Sequence, residues 1–166
     1  RPQEGRYREF TQADIDIVGR DQLADHHDVE IPLVALDVFG KLHRDMGLPP
    51  VNIRVNNRKL SEGFYRGLGI EDTAAVLQRV DKYDKVGPDV VVELLTEQVG
   101  LGQSQARACV ALAGISSEDE SFVDQVQALG VTHEMLEEGL ADLASLIRIA
   151  RGTEPGRVAA DLRIAR

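Results

Sequence analysis

From Glu9 to Val18 the chain alternates with period two. Phe10, Gln12, Asp14, Asp16 and Val18 fall on one face, and Thr11, Ala13, Ile15 and Ile17 on the other. That pattern predicts a strand with an apolar back and an unusually polar front, ended by Gly19. A helical period follows. Val34, Val38, Leu42 and Met46 recur every four residues, predicting a helix that runs from an acidic cap at 25–28 to Met46. Pro32 falls near its first turn, where proline is tolerated, and Gly47, Pro49 and Pro50 stop it. Val51, Ile53 and Val55 alternate with Asn52, Arg54 and Asn56 as a second strand. Helices are then predicted over 59–68, 72–85, 88–99, 103–113, 119–129 and 133–150, with a turn at 152–156 and a third strand over 157–165. Strands, a run of helices and a returning strand predict an α+β fold in which a helical block interrupts a sheet-based domain. No repeat period stands out: ADLASLIRIAR at 141–151 and AADLRIAR at 159–166 are alike, but one pair does not make a solenoid.

Composition narrows this picture. With 166 residues, 43% of them hydrophobic and 28% charged, the chain has the make-up of one folded domain, which excludes wholesale disorder and collagen-like repeats. Charges interrupt every apolar stretch well short of the ~18 residues of a membrane span. No basic-then-apolar leader opens the chain. Cys109 is the single cysteine, so no internal disulfide framework exists, and a reducing, cytoplasmic setting is expected. The net charge of −9 is uneven: residues 86–150 alone carry −9, while 51–85 and 151–166 are each +2. A broad phosphate-binding surface is therefore not expected on the late helices. Arg1 in place of Met, and a strand-like run to Arg166 with no polar tail, read as positions interior to a longer chain.

Chemistry concentrates at the N-terminal end. Arg6 and Arg8 lie on a Pro- and Gly-containing loop, and Phe10 stands at the strand entrance. Guanidinium groups suit phosphate oxygens, and an aromatic there can stack on a base. Gln12 and Asp16 share a strand face about 13 Å apart and reach one ligand only if their arms lean together. A solvated face beside a surface Arg loop accounts for the same spacing. His26 and His27, adjacent at a helix start, are expected to point in different directions. His43 and His133 have no Cys or carboxylate at ligand spacing, so no protein-bound metal is expected. Residues 81–85 read as a solvated helix face with local ion pairs. Gly67-Leu68-Gly69 lacks the residues of a phosphate cradle. Glu118, Asp119 and Glu120 read as helix capping and surface.

The residues nonetheless resemble one family along the whole chain. RPQEGRYREFTQADIDIVG at 1–19 is similar to the later part of motif 2 of class II aminoacyl-tRNA synthetases in the histidyl-tRNA synthetase form. VNIRVNNRKL at 51–60 and DKYDKVG at 81–87 resemble further landmarks, and AADLRIAR at 159–166 resembles the lead-in to the RGLDYY segment. The resemblance implies an antiparallel-sheet catalytic domain with a mainly helical insertion. Residues 1–58 and 152–166 would belong to the catalytic core and 59–151 to the insertion.

The resemblance also implies roles. Arg6 and Phe10 would face ATP, Phe10 stacking on the adenine. Gln12 and Asp16 would bind L-histidine, although Asp16 is a methylene shorter than the Glu of many relatives. Arg166 would bind substrate and stabilise charge on the α-phosphate as histidine attacks it. The implied activity is histidine–tRNA ligation through histidyl-adenylate, with ATP and its Mg2+, L-histidine and tRNA(His) as substrates, no membrane association, and a homodimer as the assembled enzyme. A second reading is a non-catalytic, histidine-sensing regulatory subunit of ATP phosphoribosyltransferase. That paralogue generally lacks the long helical insertion and the RPQxGRYREF loop. A third is a chain that keeps the fold only as an interaction partner.

Overall fold

In the computed structural model, residues 9, 11–21, 23–24 and 26–163 are described. The elements run α1 (His26–Met46), β1 (Ile53–Val55), α2 (Arg58–Gly67), α3 (Thr73–Val80), α4 (Tyr83–Val86), α5 (Pro88–Gln98), α6 (Gln103–Ala113), β2 (Ser116–Ser117), α7 (Ser121–Gln127), α8 (Glu134–Thr153) and β3 (Val158–Asp161). The fold is α+β. A small three-stranded sheet has the order β1-β3-β2. The first pair is parallel, with Ile53 opposite Val158, and β2 joins antiparallel, with Ser116 opposite Asp161. The sheet is thus mixed. A parallel neighbour demands a long crossover, and the helices from α2 to α8 supply it.

The crossing of α2 with α8 sets the packing. Leu60, Phe64 and Tyr65 of α2 and Leu136, Leu143 and Ile147 of α8 are all buried, at helical spacing on each element. Their backbones approach until no side chain fits between them. A Cβ on Gly63 would stand 2.2 Å from the Leu136 nitrogen, and one on Gly139 would stand 2.3 Å from the Leu60 nitrogen. Around this crossing Val76, Val91, Leu95, Cys109, Leu112, Phe122 and Leu162 complete one continuous core. Side-chain caps define the helix starts: Asn57 Oδ1 accepts from the Lys59 amide at 2.9 Å, Asp72 Oδ1 from Ala75 at 2.9 Å, and His133 Nδ1 from Met135 at 3.2 Å.

Several expectations change. Among the described residues the strand read over 9–18 does not form: residues 11–19 have no regular structure, Ile15 is 44% exposed and Val18 is 92% exposed. A strand needs a paired neighbour, and no described residue pairs with this segment. In α1 the buried positions are Val29, Pro32 and Leu36, while Val34, Val38 and Met46 are exposed. The helix has two apolar stripes, and α8 packs against the one that the period of four did not select. The helix read over 72–85 breaks into α3 and α4. The Asp81 amide still bonds Leu77 O at 3.0 Å, but the Lys82 amide bonds Arg79 O at 3.1 Å, a tighter turn that ends the ladder. The third strand covers only 158–161 of the expected 157–165, with 164–166 outside the described residues. β2 was not anticipated, because two serines carry no periodicity.

The helix crossing makes a paired prediction. Gly63→Ala and Gly139→Ala should each cost about 3 kcal/mol or more, because backbone rather than a flexible side chain blocks the methyl group. Gly152→Ala, in α8 with nothing within 4 Å of its Cβ position, should instead stabilise by about 0.5–1 kcal/mol. Urea unfolding of the three variants measures both signs. Equal, small effects at all three positions would refute the close approach.

Candidate functional site

Gln12 and Asp16 lie in the irregular segment before α1, both exposed. Gln12 Nε2 donates to Asp14 Oδ1 at 3.5 Å, a local contact. Neither side chain lines the cavity between α1, the β1–α2 turn and α8 or the groove along α1. Arg6, Phe10 and Arg166 fall outside the described residues. Of the five sequence-read residues, the structure describes only Gln12 and Asp16.

It gathers other residues. Between α1, the β1–α2 turn and α8 lies an open cavity of about 520 Å³, lined among others by Asp28, Pro32, Arg54, Asn56, Arg58 and Asp142. The turn, Asn56-Asn57-Arg58, is held from several sides. Asn56 Nδ2 donates to Ser61 Oγ at 3.1 Å, Asn56 Oδ1 accepts from the Asn57 amide at 2.8 Å, and Asn57 Nδ2 reaches Asp142 Oδ2 at 3.3 Å. Arg58 bonds Glu62 at 2.7 Å, and Lys59 pairs with Glu138 on α8. The Lys59 ammonium is accordingly pushed up, first by its bond to Glu138, with desolvation opposing it. The asparagines thus shape the turn, cap α2 and tie it to α8.

The second constellation joins the sheet to the helices. Asp161 is 1% exposed at the end of β3. Arg54, from β1, donates Nη1 to Asp161 Oδ2 at 3.1 Å. Arg163 grips the same carboxylate with Nε on Oδ1 at 2.8 Å and Nη2 on Oδ2 at 2.7 Å, and the Arg163 amide adds a bond to Oδ1 at 3.2 Å. The remaining arm of Arg163, Nη1, donates to Asp84 Oδ1 at 2.9 Å. Burial alone would raise the Asp161 pKa, but the Arg163 hydrogen bonds and the two guanidinium charges outweigh it, and the carboxyl sits below its ordinary value. Arg163 is pushed up in turn, chiefly by its bond to Asp161. Asp84 therefore serves a contact 79 positions away, where sequence reading placed it on a solvated face with local pairs. No period marks such a cluster; an acid inside an apolar run and two residues before an arginine, Asp161-Leu162-Arg163, was the available signal.

Other groups with intrinsic reactivity are quiet. Burial pushes the Cys109 thiol up to about 12, so it is no thiolate nucleophile near neutral pH. Burial raises Tyr65 as well. Asp119 goes down to about 2 through its bonds with Ser121 and Ser117, the expected capping role of the acidic run. His26 and His27 do not diverge as expected. Their ring centroids are 4.1 Å apart, and a donor atom from each lies within 4.8 Å of one from Glu30. No described helix is long and apolar enough to cross a membrane.

Comparison with known proteins adds what this geometry alone does not. No family model matches the chain. It is 60% identical over 166 residues to a histidine–tRNA ligase of Cutibacterium acnes, covering 100% of this chain and 37% of that protein. It is 54% identical over 169 residues to a histidine–tRNA ligase of Micrococcus luteus, covering 100% of this chain and 35% of that protein. In structure it is similar to a histidyl-tRNA synthetase from Nostoc sp. PCC 7120, with a TM-score of 0.76, 25% identity, and coverage of 89% of this chain and 35% of that one. The chain thus spans little more than a third of the length of the curated relatives it matches.

The charge cluster yields a prediction in two parts. Asp161→Asn removes the buried anion that Arg54 and Arg163 share and should cost about 2 kcal/mol, a fall in Tm of about 4–8 °C. Because the native carboxyl titrates below the ordinary value near ~4, its contribution is complete above that value and fades as pH falls through the lower, native one. The stability gap between wild type and variant should therefore stay level from about pH 8 to about pH 5 and close only in stronger acid. Urea unfolding across that range measures it, and a gap that closes near neutrality would contradict the assignment.

Proposed function

We propose that this chain, homologous over its whole length to histidine–tRNA ligases, supplies part of the catalytic domain of such an enzyme. The reaction is ATP-dependent activation of L-histidine to histidyl-adenylate, followed by transfer to tRNA(His), in a cytoplasmic homodimer. The observation that carries this reading is 60% identity extending along all 166 residues. In this reading residues 1–58 and 152–166 form the catalytic core and 59–151 the helical insertion. Direct pairing of β1 with β3 supports the division, since the core strands meet across everything between them.

Amino-acid activation is in-line attack by a carboxylate on the α-phosphate of ATP, which enters with its Mg2+ as substrate. The step needs fixed cations and donors more than a covalent nucleophile. Arg6 and Arg166 are the cations in this reading, and Phe10 is the surface for the adenine. Gln12 and Asp16 receive L-histidine. An acid able to accept an imidazole N–H favours histidine over side chains that lack that donor.

The test is histidine-dependent ATP–pyrophosphate exchange by the gene product that carries this chain. Robust exchange with histidine, and none with other amino acids, is expected. Gln12→Ala and Asp16→Ala should each raise the KM for histidine by about tenfold or more while leaving the KM for ATP within about twofold. Both side chains are exposed, so folding is not at stake. The 166-residue chain alone should show no exchange, since it spans only 37% of its relative. Absence of exchange in the gene product would overturn the reading, and unchanged histidine kinetics in both variants would remove those two residues from it.

A further inference from the structure

The first turn of α1 carries a cluster that the proposed ligase chemistry does not use. His26, His27 and Glu30 each offer one donor atom, and the three atoms lie within 4.8 Å of one another. Helical spacing explains the convergence: Glu30 stands three residues from His27 and four from His26, so it shares a face with both. His27 Nδ1 meets Glu30 Oε2 at 2.9 Å. The His26 ring lies over that pair, 4.1 Å from His27 between centroids and tilted by 48°.

We propose that His26, His27 and Glu30 form a binding site for a divalent transition-metal ion, with Zn2+ as the representative of the class. Two imidazoles and a carboxylate are a donor set that such ions prefer over Mg2+ or Ca2+. Metal–ligand bonds of about 2.0–2.1 Å hold tetrahedral donors roughly 3.3 Å apart. The His27–Glu30 pair, at 2.9 Å, has only to open by a few tenths of an ångström for an ion to take the place of the hydrogen bond. His26 is exposed and can close the remaining gap by a change of rotamer.

A second observation favours an ion here. An open groove of about 560 Å³ starts at this cluster, lined by His26, Val29, Glu30, Leu33, Asp37 and Ile149 among others. It leaves room for the water or outside ligand that completes a site of three protein donors. Its apolar wall reduces competing hydration on one side, while Asp37 in the groove is paired with Lys41 at 2.7 Å. The positive end of the helix works against a cation, and Asp28 in the same turn offsets it.

The experiment is a titration of the 166-residue protein with Zn2+ at about pH 7.5, where most imidazole is neutral, followed by the histidine ring signals in NMR. The chain has four histidines, which makes the readout complete. Saturation at one Zn2+ per chain is expected, with the His26 and His27 rings shifting and those of His43 and His133 unmoved. His26→Gln, His27→Gln and Glu30→Gln should each weaken binding by about tenfold or more, with helical circular dichroism unchanged. Lack of saturation would overturn the proposal. So would equal affinity in the double variant His26→Gln/His27→Gln, or shifts confined to His43 and His133.

Discussion

The crossing of α2 and α8 is the constraint on which the rest of the structure depends. Gly63 and Gly139 sit in each other's path, each against the backbone of the opposite helix. Two helices usually lie 8–10 Å apart, with side chains setting the gap. Here the gap is set by the absence of side chains on both partners. Once the crossing is fixed, Leu60, Phe64, Leu136 and Leu143 fall into one buried layer. Asn57, at the start of α2, then comes within reach of Asp142, and Lys59 within reach of Glu138. The β1–α2 turn and its cavity follow from the same placement.

A second, electrostatic fastening acts at the end of the sheet. Asp161 collects Arg54 from β1 and Arg163 from the residues after β3, and Arg163 extends the chain of charge to Asp84 on α4. A carboxylate at 1% exposure would be costly without partners. With four hydrogen bonds it becomes a specific lock on the β1–β3 pairing. Apolar packing tolerates small slips in register, whereas a bidentate guanidinium does not.

Sequence reading reached the elements whose information is local. The helices at 88–99 and 103–113 were legible because caps, glycines and apolar periods lie within each segment, and they match α5 and α6 closely. Failure came where the deciding partner is distant. Residues 9–18 alternate like a strand, but pairing makes a strand, and none of the described residues supplies it. In α1 the period of four at Val34 and Val38 is real, yet α8 packs on Val29, Pro32 and Leu36. The α2–α8 approach left no periodic trace, since a glycine in a helix reads as a weakness until its neighbour is seen. Of the site, the residues assigned by family resemblance were legible as a motif. The Asp161 cluster was not, because its members are separated by up to 107 positions.

The direct pairing of β1 with β3 has a consequence for how this protein tolerates change. The two strands are neighbours although Arg54 and Asp161 stand 107 positions apart. Apart from β2, which joins β3 on its other side, everything between them leaves the sheet and returns at the same seam. Turns such as those at Gly100 and Gly130, with open space around them, can therefore gain or lose residues without altering strand register. The entropic penalty of a longer excursion grows only with the logarithm of its length. The seam leaves the turns of the helical block free to drift in length and surface, provided the α2–α8 crossing is kept and the chain is brought back to where it left.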